Sequence, residues 1–333
     1  MAETPTYYKG NELDTTSKEQ LTNTIINKLT IQKIDTDVFD NPFDVFKQNQ
    51  LQAGFQIEEI EVGNLTSEDF DPEGTDALKK KKMNFKTLYH KKNREKTMGA
   101  TVSNKQLRSA TLSPAKTAEL VQAVVTEMQN SSHIEDFEAF KELLVDIISK
   151  KKVMTLCDLN GNSSVDAITK AVQVMATRLK YPNTNFNYSG FKKAFSRPDN
   201  LVLIMDATLN ARLNVESLAT AFNMDKKELV KNIIVIDELP AIEFNAIKTN
   251  KGLDIDIGET NPITTHKYSS EGTETASGKV KMLLVDRRCL IVDPVEREIT
   301  EDINGKGRFI NKWLHATDIL SYSTLKNAIA FID

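Results

Sequence analysis

The sequence has few of the residues on which catalysis, metal binding and covalent cross-linking depend. It contains two cysteines and four histidines among 333 residues. Cys157 and Cys289 each lie inside an apolar run, which favours buried free thiols that pack as small hydrophobic side chains rather than a disulfide. The histidines are far apart in the sequence, and none has a second ligand at metal-site spacing. We therefore expect no catalytic residue, no metal and no cofactor.

Motifs that would indicate an enzyme are missing as well. There is no Gly-x-Ser-x-Gly elbow, so no hydrolase triad is indicated. The stretch Asn304-Gly305-Lys306-Gly307 lacks the earlier glycine and the following Ser or Thr of a phosphate-binding P-loop, and it predicts a turn. The segment Asp254-Ile255-Asp256-Ile257-Gly258 alternates as a strand does, which is favoured over a metal-binding acidic pair.

Long apolar runs are also absent. No segment approaches the roughly eighteen apolar residues of a membrane span, and the N-terminus lacks the basic and then apolar layout of a secretion signal. We therefore expect a protein that is made and used in the cytosol and does not enter a membrane. A hydrophobic fraction of 40% in a chain of this length is enough to build a core, in one or two subdomains.

The charged residues are unevenly distributed, although the net charge is only −4. The segment 58–76 contains acids and no Lys or Arg, namely Glu58, Glu59, Glu61, Glu68, Asp69, Asp71, Glu73 and Asp76. The segment 79–108 has the opposite sign, with Glu95 as its one acid among Lys79, Lys80, Lys81, Lys82, Lys86, Lys91, Lys92, Arg94, Lys96, Lys105 and Arg108. Alternating apolar residues predict a strand in each segment, near 51–62 and 84–102, joined by a polar tip with Pro72 and Gly74. The pattern predicts a long hairpin or extended loop with one acidic and one basic arm.

Three interpretations of this charge pattern remain open. The lysines could belong to a solvated loop, the two arms could meet across a hairpin or between subunits, or the basic arm could bind nucleic acid. Under the second interpretation, the candidate inter-subunit contact residues are Glu68, Asp69, Asp71, Glu73, Lys79, Lys80, Lys81, Lys82 and Arg94.

The rest of the chain predicts an α+β fold. A polar arm with a short helix near 19–29 comes first, and Ser113-Pro114 then begins a long helical spine, in one piece or two, that ends near 150. Further helices are predicted at 165–179 and, as two short ones, between 213 and 230. The polar stretch 260–278, rich in Thr, Ser, Glu and Gly, predicts an exposed loop. The remaining strands are predicted at 153–157, 201–205, 233–236, 280–285, 289–292, 309–315 and 319–323.

Three passages together resemble the major capsid proteins of phi-twenty-nine-like short-tailed phages (picovirus type). They are Asn84-Phe85-Lys86-Thr87-Leu88-Tyr89-His90-Lys91-Lys92-Asn93-Arg94, then 201–237 with its centre Leu218-Ala219-Thr220-Ala221-Phe222-Asn223-Met224, and finally 313–331 with its end Lys326-Asn327-Ala328-Ile329-Ala330-Phe331. They stand in the family's order and at roughly its distances, so the resemblance covers about residue 50 to the C-terminus.

The resemblance implies the HK-ninety-seven-like (Johnson) capsid fold. It assigns residues 1–46 to an N-terminal arm, 47–112 to an extended β-hairpin loop, 113–151 and 294–333 to a peripheral domain with a long spine helix, and 152–293 to an axial domain. A surface insertion is expected near 240–279, where compact relatives have only a short link. Some relatives carry an immunoglobulin-like domain after the shell domain; this sequence ends at Asp333, which predicts that such a domain is absent.

The implied function is that of a major capsid protein. Copies would form pentamers and hexamers of an icosahedral head around double-stranded DNA, with a scaffolding protein and a portal as partners and only weak DNA contact. The implied location is the virion capsid, after assembly in the bacterial cytoplasm. Two other functions remain open: the shell protein of an encapsulin-like cellular nanocompartment, and a nucleic-acid-binding protein that uses the basic segment 79–108.

Overall fold

A computed structural model of the chain describes residues 8–9, 12–13, 38–47, 56–75, 78–103, 114–150, 155–162, 164–213, 232–248, 262–268 and 274–333. The predicted helices at 19–29 and between 213 and 230, the Ser113 cap and the acidic pair at 254–256 lie outside these residues or almost entirely so. The chain divides into two compact units, the first made of residues 1–41, 94–137 and 296–317, the second of residues 42–93, 138–295 and 318–333. The predicted division into arm, extended loop, peripheral domain and axial domain stays a prediction.

Three α-helices and fourteen strands lie within the described residues. The helices are α1 Pro114–Lys150, α2 Val165–Leu179 and α3 Ala207–Arg212. The strands are β1 Tyr8–Lys9, β2 Glu12–Leu13, β3 Ile57–Val62, β4 Phe85–His90, β5 Arg94–Ser103, β6 Thr155–Asp158, β7 Leu201–Asp206, β8 Ile233–Ile236, β9 Ala241–Lys248, β10 Thr264–Tyr268, β11 Glu274–Asp286, β12 Leu290–Asn304, β13 Phe309–Tyr322 and β14 Ala328–Ile332.

The second unit is built around a seven-stranded sheet in the order β14-β6-β10-β9-β11-β7-β8. Strand β14 pairs in parallel with β6 and antiparallel with β11, so it lies inside the sheet and not at its edge. Alternate residues of β7, β11 and β14 pack with the apolar face of α2 in one core. The intervening residues of these strands are buried too, which explains why their sequences are continuously apolar rather than alternating.

Helix α2 confirms its prediction at both ends. Its N-cap is Ser164, whose Oγ accepts a hydrogen bond from the amide of Ala167 at 3.1 Å and so satisfies one of the free N–H groups of the first turn. Its buried residues recur at helical spacing, which places them on one face: Ala167, Ile168, Ala171, Val172, Met175, Ala176 and Leu179. The strand predicted at 233–236 is confirmed as β8.

The first unit holds β5 and parts of β12 and β13, which form a three-stranded sheet in the order β12-β13-β5. The ring of Trp313 lies directly on the backbone of Gly99, where an added Cβ would be 2.3 Å from the ring. Only glycine allows this approach. In the part of α1 that belongs to this unit, Asn130 accepts a hydrogen bond from the Phe39 amide at 2.8 Å, and the ring of Phe39 meets Phe137 edge to face.

The exposed loop predicted over 260–278 is wrong where the chain is described. Strand β10 pairs with β6 and β9, and the beginning of β11 pairs with β9. Thr264, Thr265 and His266 are buried, and the Thr264 hydroxyl lies 3.0 Å from His266 Nε2. A run of small polar residues indicated a loop, but β-branched threonines suit a strand when neighbours satisfy their hydroxyls.

Three other boundaries differ from the predictions. The strand predicted near 84–102 is two strands, β4 and β5, which belong to different sheets. Asn93 lies between them, and its side-chain amide donates a hydrogen bond to the Leu320 carbonyl and accepts one from the Leu320 amide, each at 2.8 Å. The two strands predicted between 309 and 323 are one, β13. Strand β14 was not predicted as a strand, although most of its residues belong to the resembling passage 313–331, and all five of its residues are buried.

Both cysteines are free and buried, as predicted, and burial raises the pKa of each thiol far above its ordinary value. Among the described residues, no three His, Cys, Asp or Glu side chains gather as metal ligands. No helix in the described part of the chain is both long enough and apolar enough to cross a membrane.

Candidate functional site

Parts of the acidic and basic segments form an antiparallel hairpin in the second unit. Strands β3 and β4 pair from Ile57 opposite His90 to Val62 opposite Phe85. Side chains alternate between the two faces of a strand. This register therefore places the acids Glu59 and Glu61 on one face of the hairpin and the apolar residues Ile60, Val62 and Phe85 on the other. The two faces have different surroundings.

The inner face is attached to the body of the unit by ion pairs. The ammonium of Lys326 donates to Glu61 and lies 3.2 Å from Glu59, and the ammonium of Lys192 donates to Glu61 at 3.0 Å. Lys86 on β4 donates to the hydroxyl of Ser189 at 2.7 Å. The side chains of Glu59, Glu61 and Lys326 are only 14–15% exposed, so water screens these pairs much less than surface pairs.

A buried histidine, His90 of β4, lies on the same face. His90 Nδ1 lies 2.8 Å from the hydroxyl of Ser321, and its Nε2 lies 3.6 Å from a carboxylate oxygen of Glu59. The second distance is too long for a hydrogen bond, and within the described part of the chain both atoms are buried without a hydrogen-bond partner. The ammonium of Lys326, 3.2 Å from Glu59, is therefore the charge that balances this carboxylate.

This network makes the stability of the hairpin depend on pH. Burial by itself raises the pKa of Glu61, but hydrogen bonds and charges from Lys326 and Lys192 outweigh it and leave the pKa below its ordinary value. The pKa of Glu59 is also lowered, because His90, Ser323 and Lys326 outweigh its burial. A lowered folded-state pKa stabilises the protein above the unfolded pKa of about 4.3, and this contribution is lost as the pH falls through the folded pKa.

We expect unfolding experiments in denaturant to show the free energy of unfolding falling as the pH drops below about 4.3. The fall should be shallower in Glu61→Gln, because one carboxylate with a lowered pKa has been removed. Glu238→Gln, which removes an exposed carboxylate paired with Lys279, is the control and should retain the parent's slope. Equal slopes for parent and Glu61→Gln would contradict the assignment.

The outer face of the hairpin is apolar and open to water. Ile60 and Phe85 are 56% and 60% exposed, and Val62 lies beside them. Tyr89 on the same face donates its hydroxyl hydrogen to Glu58 at 2.9 Å. Further along, Leu65 and Phe70 project from the tip with exposures of 74% and 90%. Contiguous exposed apolar surface of this kind marks an interaction site more often than a free surface.

The tip contains most of the predicted contact residues, and the structure brings one pair of them together. Lys81 donates to Glu68 at 2.5 Å across the two arms. Asp71 instead organises its own turn, accepting from the amides of Glu73 and Thr75 and from the Thr75 hydroxyl, and this last bond is the main cause of its lowered pKa. The other predicted residues of the tip are exposed, namely Asp69, Glu73, Lys79, Lys80 and Lys82.

Arg94, the remaining predicted contact residue, lies at the start of β5 in the first unit. Its guanidinium donates to Asp136 of α1 at 2.6 Å, and Arg297 donates to the same carboxylate at 3.1 Å. The Arg94 side chain is only 9% exposed. It therefore forms ion pairs within its own chain.

The residues that attach the hairpin were not predicted from the sequence. Glu59 and Glu61 were counted only as members of an acidic run, and Lys192 and Lys326 were not singled out. The one usable signal was the alternation of acids with Ile60 and Val62, but alternation does not tell which of the two faces is buried.

Comparison with known proteins agrees with this fold. The family model of the Phi29-like phage major capsid protein matches residues 9–332. The major capsid protein of Bacillus phage GA-1 is 25% identical over 96% of this chain and 62% of its own length, and that of Bacillus phage PZA is 26% identical over 97% and 65%. The chain thus spans somewhat less than two thirds of the length of these relatives.

Solved structures give the fold. A chain in the capsid structure of Staphylococcus phage Andhra superposes with a TM-score of 0.68 at 13% identity, covering 92% of this chain and 87% of the other. The α+β, HK-ninety-seven-like fold predicted from the resemblance is confirmed. Because the family model matches almost the whole sequence, the chain belongs to the Phi29-like phage major capsid protein family.

Proposed function

We propose that this chain is a shell subunit whose copies assemble into the pentamers and hexamers of an icosahedral head around double-stranded DNA. Its place is then the virion capsid, after assembly in the bacterial cytoplasm, and its function requires no catalysis. The proposal rests on the family and on one structural observation. The hairpin is held by its inner face and exposes an apolar outer face, with Ile60, Val62 and Phe85.

This outer face is best explained by contact with a second copy. An apolar side chain that becomes fully buried contributes about 1.5 to 3 kcal/mol, so even partial burial of three side chains contributes a few kcal/mol per contact. Association also costs rotational and side-chain freedom, which exceeds the gain from one small contact. A closed shell repeats the contact at every copy, and this repetition favours assembly over isolated dimers.

Electron microscopy of the purified full chain, alone and with a scaffolding protein, tests the proposal. Closed shells or capsomers are expected in at least one of the two conditions. A strictly monomeric chain across protein concentration, salt and added scaffold would refute it. Foreign protein cargo in place of DNA inside particles from cells would favour a nanocompartment.

We also propose that the charged tip contacts neighbouring copies. Within one chain, the Lys81–Glu68 pair joins the two arms, while Asp69, Glu73 and Lys82 remain exposed. An exposed ion pair contributes at most about 1 kcal/mol, but the contact recurs at every copy in a shell. Scaffolding protein, portal and weakly bound DNA are further partners in this proposal.

Reversal of Lys79, Lys80, Lys81 and Lys82 to Glu should reduce the yield of shells while the subunit stays folded. Opposite charges attract most at low salt, because the Debye length falls from about 10 Å at 0.1 M to about 3 Å at 1 M. Reversal of Glu68, Asp69, Asp71 and Glu73 to Lys in the same chain should restore part of the yield, measured by sedimentation and microscopy. If the lysine reversal assembles as well as the parent at low salt, the tip is only a solvated loop.

A further inference from the structure

A basic cleft lies beside the inner face of the hairpin, within the second unit. Its volume is about 290 Å³, and five of the ten residues that line it are cationic: Lys192, Lys193, Arg197, Arg288 and Lys326. Glu61 is its one acidic lining residue. The cleft therefore carries an excess of positive charge in a chain whose net charge is −4.

Within the described part of the chain, three of these cations have carboxylate partners and two have none. Lys192 and Lys326 pair with Glu61, and Arg288 makes a two-pronged contact with the buried Asp286 at 2.8 and 2.9 Å.

Among the described residues, no carboxylate pairs with Lys193 or Arg197. Both side chains are exposed, and the Lys193 amide is fixed by the side chain of Asn64 at 2.7 Å. These two cations are available to an anion in the cleft.

Exposed aromatic rings accompany the free cations. Phe195 lies between Lys193 and Arg197 in the sequence, lines the cleft and is 50% exposed. The neighbouring segment is joined to it by paired hydrogen bonds of 3.0 Å between Asn183 and Ala194, and it carries the exposed ring of Tyr181. Cations interleaved with solvent-facing rings are the chemistry that binds single-stranded nucleic acid, because phosphates need charge and unpaired bases need a flat apolar surface.

We propose that this cleft binds a segment of single-stranded nucleic acid, with a phosphate between Lys193 and Arg197 and a base stacked on Phe195. The cleft is near the lower end of the size range of small-ligand sites, about 300 to 1,000 Å³, which suits a single nucleotide. Because stacking on Phe195 requires an unpaired base, the site differs from a surface that lines packaged double-stranded DNA. It is also distinct from the basic segment 79–108, and it goes beyond the proposed shell function, which does not require it.

The test uses the purified full chain, kept unassembled at low concentration, and fluorescein-labelled oligothymidylate or oligouridylate in an anisotropy titration. Lys193→Gln with Arg197→Gln should weaken binding about tenfold. It should also lower the slope of log affinity against log salt by about 0.7, because one neutralised phosphate is lost. Phe195→Ala should weaken binding at least about fivefold, since one stacked base is lost. The relative affinity of the two oligonucleotides distinguishes DNA from RNA as the ligand.

The matched control is Lys306→Gln with Arg308→Gln, which removes one exposed lysine and one exposed arginine outside both the cleft and the basic segment 79–108, and it should leave the affinity and salt slope unchanged. Thermal unfolding of every variant verifies that the fold is intact. Equal oligonucleotide affinity in parent and cleft variant would overturn the proposal. Tighter binding of an acidic peptide with the sequence of residues 64–75 would also overturn it. An oligonucleotide affinity that Phe195→Ala leaves unchanged would overturn it as well, because the cleft would then bind anions in general.

Discussion

Replacement of Lys326 by Met is expected to lower the free energy of unfolding by about 3 kcal/mol. Loss of one partner from a buried ion pair typically costs about 3 to 5 kcal/mol, because the remaining charge stays desolvated without compensation. Glu61 keeps Lys192 as a partner, and Glu59 keeps the hydrogen bond from Ser323 and the 3.6 Å contact with His90. The expected loss is therefore near the lower end of the range. Denaturant unfolding monitored by circular dichroism measures it.

Two further variants show whether charge or packing causes this loss. Lys279→Met removes an exposed lysine that pairs with Glu238 in the same unit, and it should cost less than about 1 kcal/mol. Glu59→Gln and Glu61→Gln added to Lys326→Met should recover most of the lost stability, because neither carboxylate then stays desolvated without Lys326, and Lys192, whose side chain is 38% exposed, can be hydrated in place of its pair with Glu61. If the triple variant is as unstable as Lys326→Met, the lysine acts through packing and the electrostatic account is wrong.

Ile60→Asp combined with Phe85→Asp is expected to abolish shell formation. Both side chains are more than half exposed, so the subunit should fold with a similar unfolding midpoint. In an assembled shell, however, each introduced carboxylate would be buried without a partner, and this costs more than the apolar contact contributes. Sedimentation velocity and electron microscopy of the variant should show unassembled subunits only.

The conservative pair Ile60→Val with Phe85→Leu is the control for this prediction. It keeps the outer face apolar and should still yield shells, at most with a lower yield. Shells from the aspartate variant in parental amounts would show that the outer face is not an interface. The tip would then be the better candidate for contact between copies.

The hairpin could be predicted from the sequence only in part. The charge reversal between residues 58 and 108 and the alternation of apolar residues predicted two arms, and the structure has paired strands there. The prediction treated the acids as one group. The structure divides them, because Glu59 and Glu61 face the body of the unit while Glu68, Asp69 and Glu73 lie in the exposed tip.

Other elements were predicted correctly when neighbouring residues carried the sequence signal, and they were missed when the element depends on residues distant in the sequence. Both ends of helix α2 were predicted correctly because Ser164 caps the helix and its apolar residues recur at helical spacing. The loop predicted over 260–278 was wrong in its described parts because the small polar residues there carry no apolar period, and pairing with β6 and β9 makes them strand β10 and the start of β11. Strand β14 acquires its place inside the sheet from β6 and β11, which are far away in the sequence.

By itself, the sequence determined the α+β class, the resemblance to the capsid family, the long helix and the buried free cysteines. These follow from short-range periodicity, composition and residue order. The tertiary structure alone decided which face of the hairpin is fixed, that Arg94 pairs with Asp136, and that Lys193, Arg197 and Phe195 line one cleft. These features depend on contacts between residues distant along the chain, and no local pattern encodes which distant partner a charge or a strand will meet.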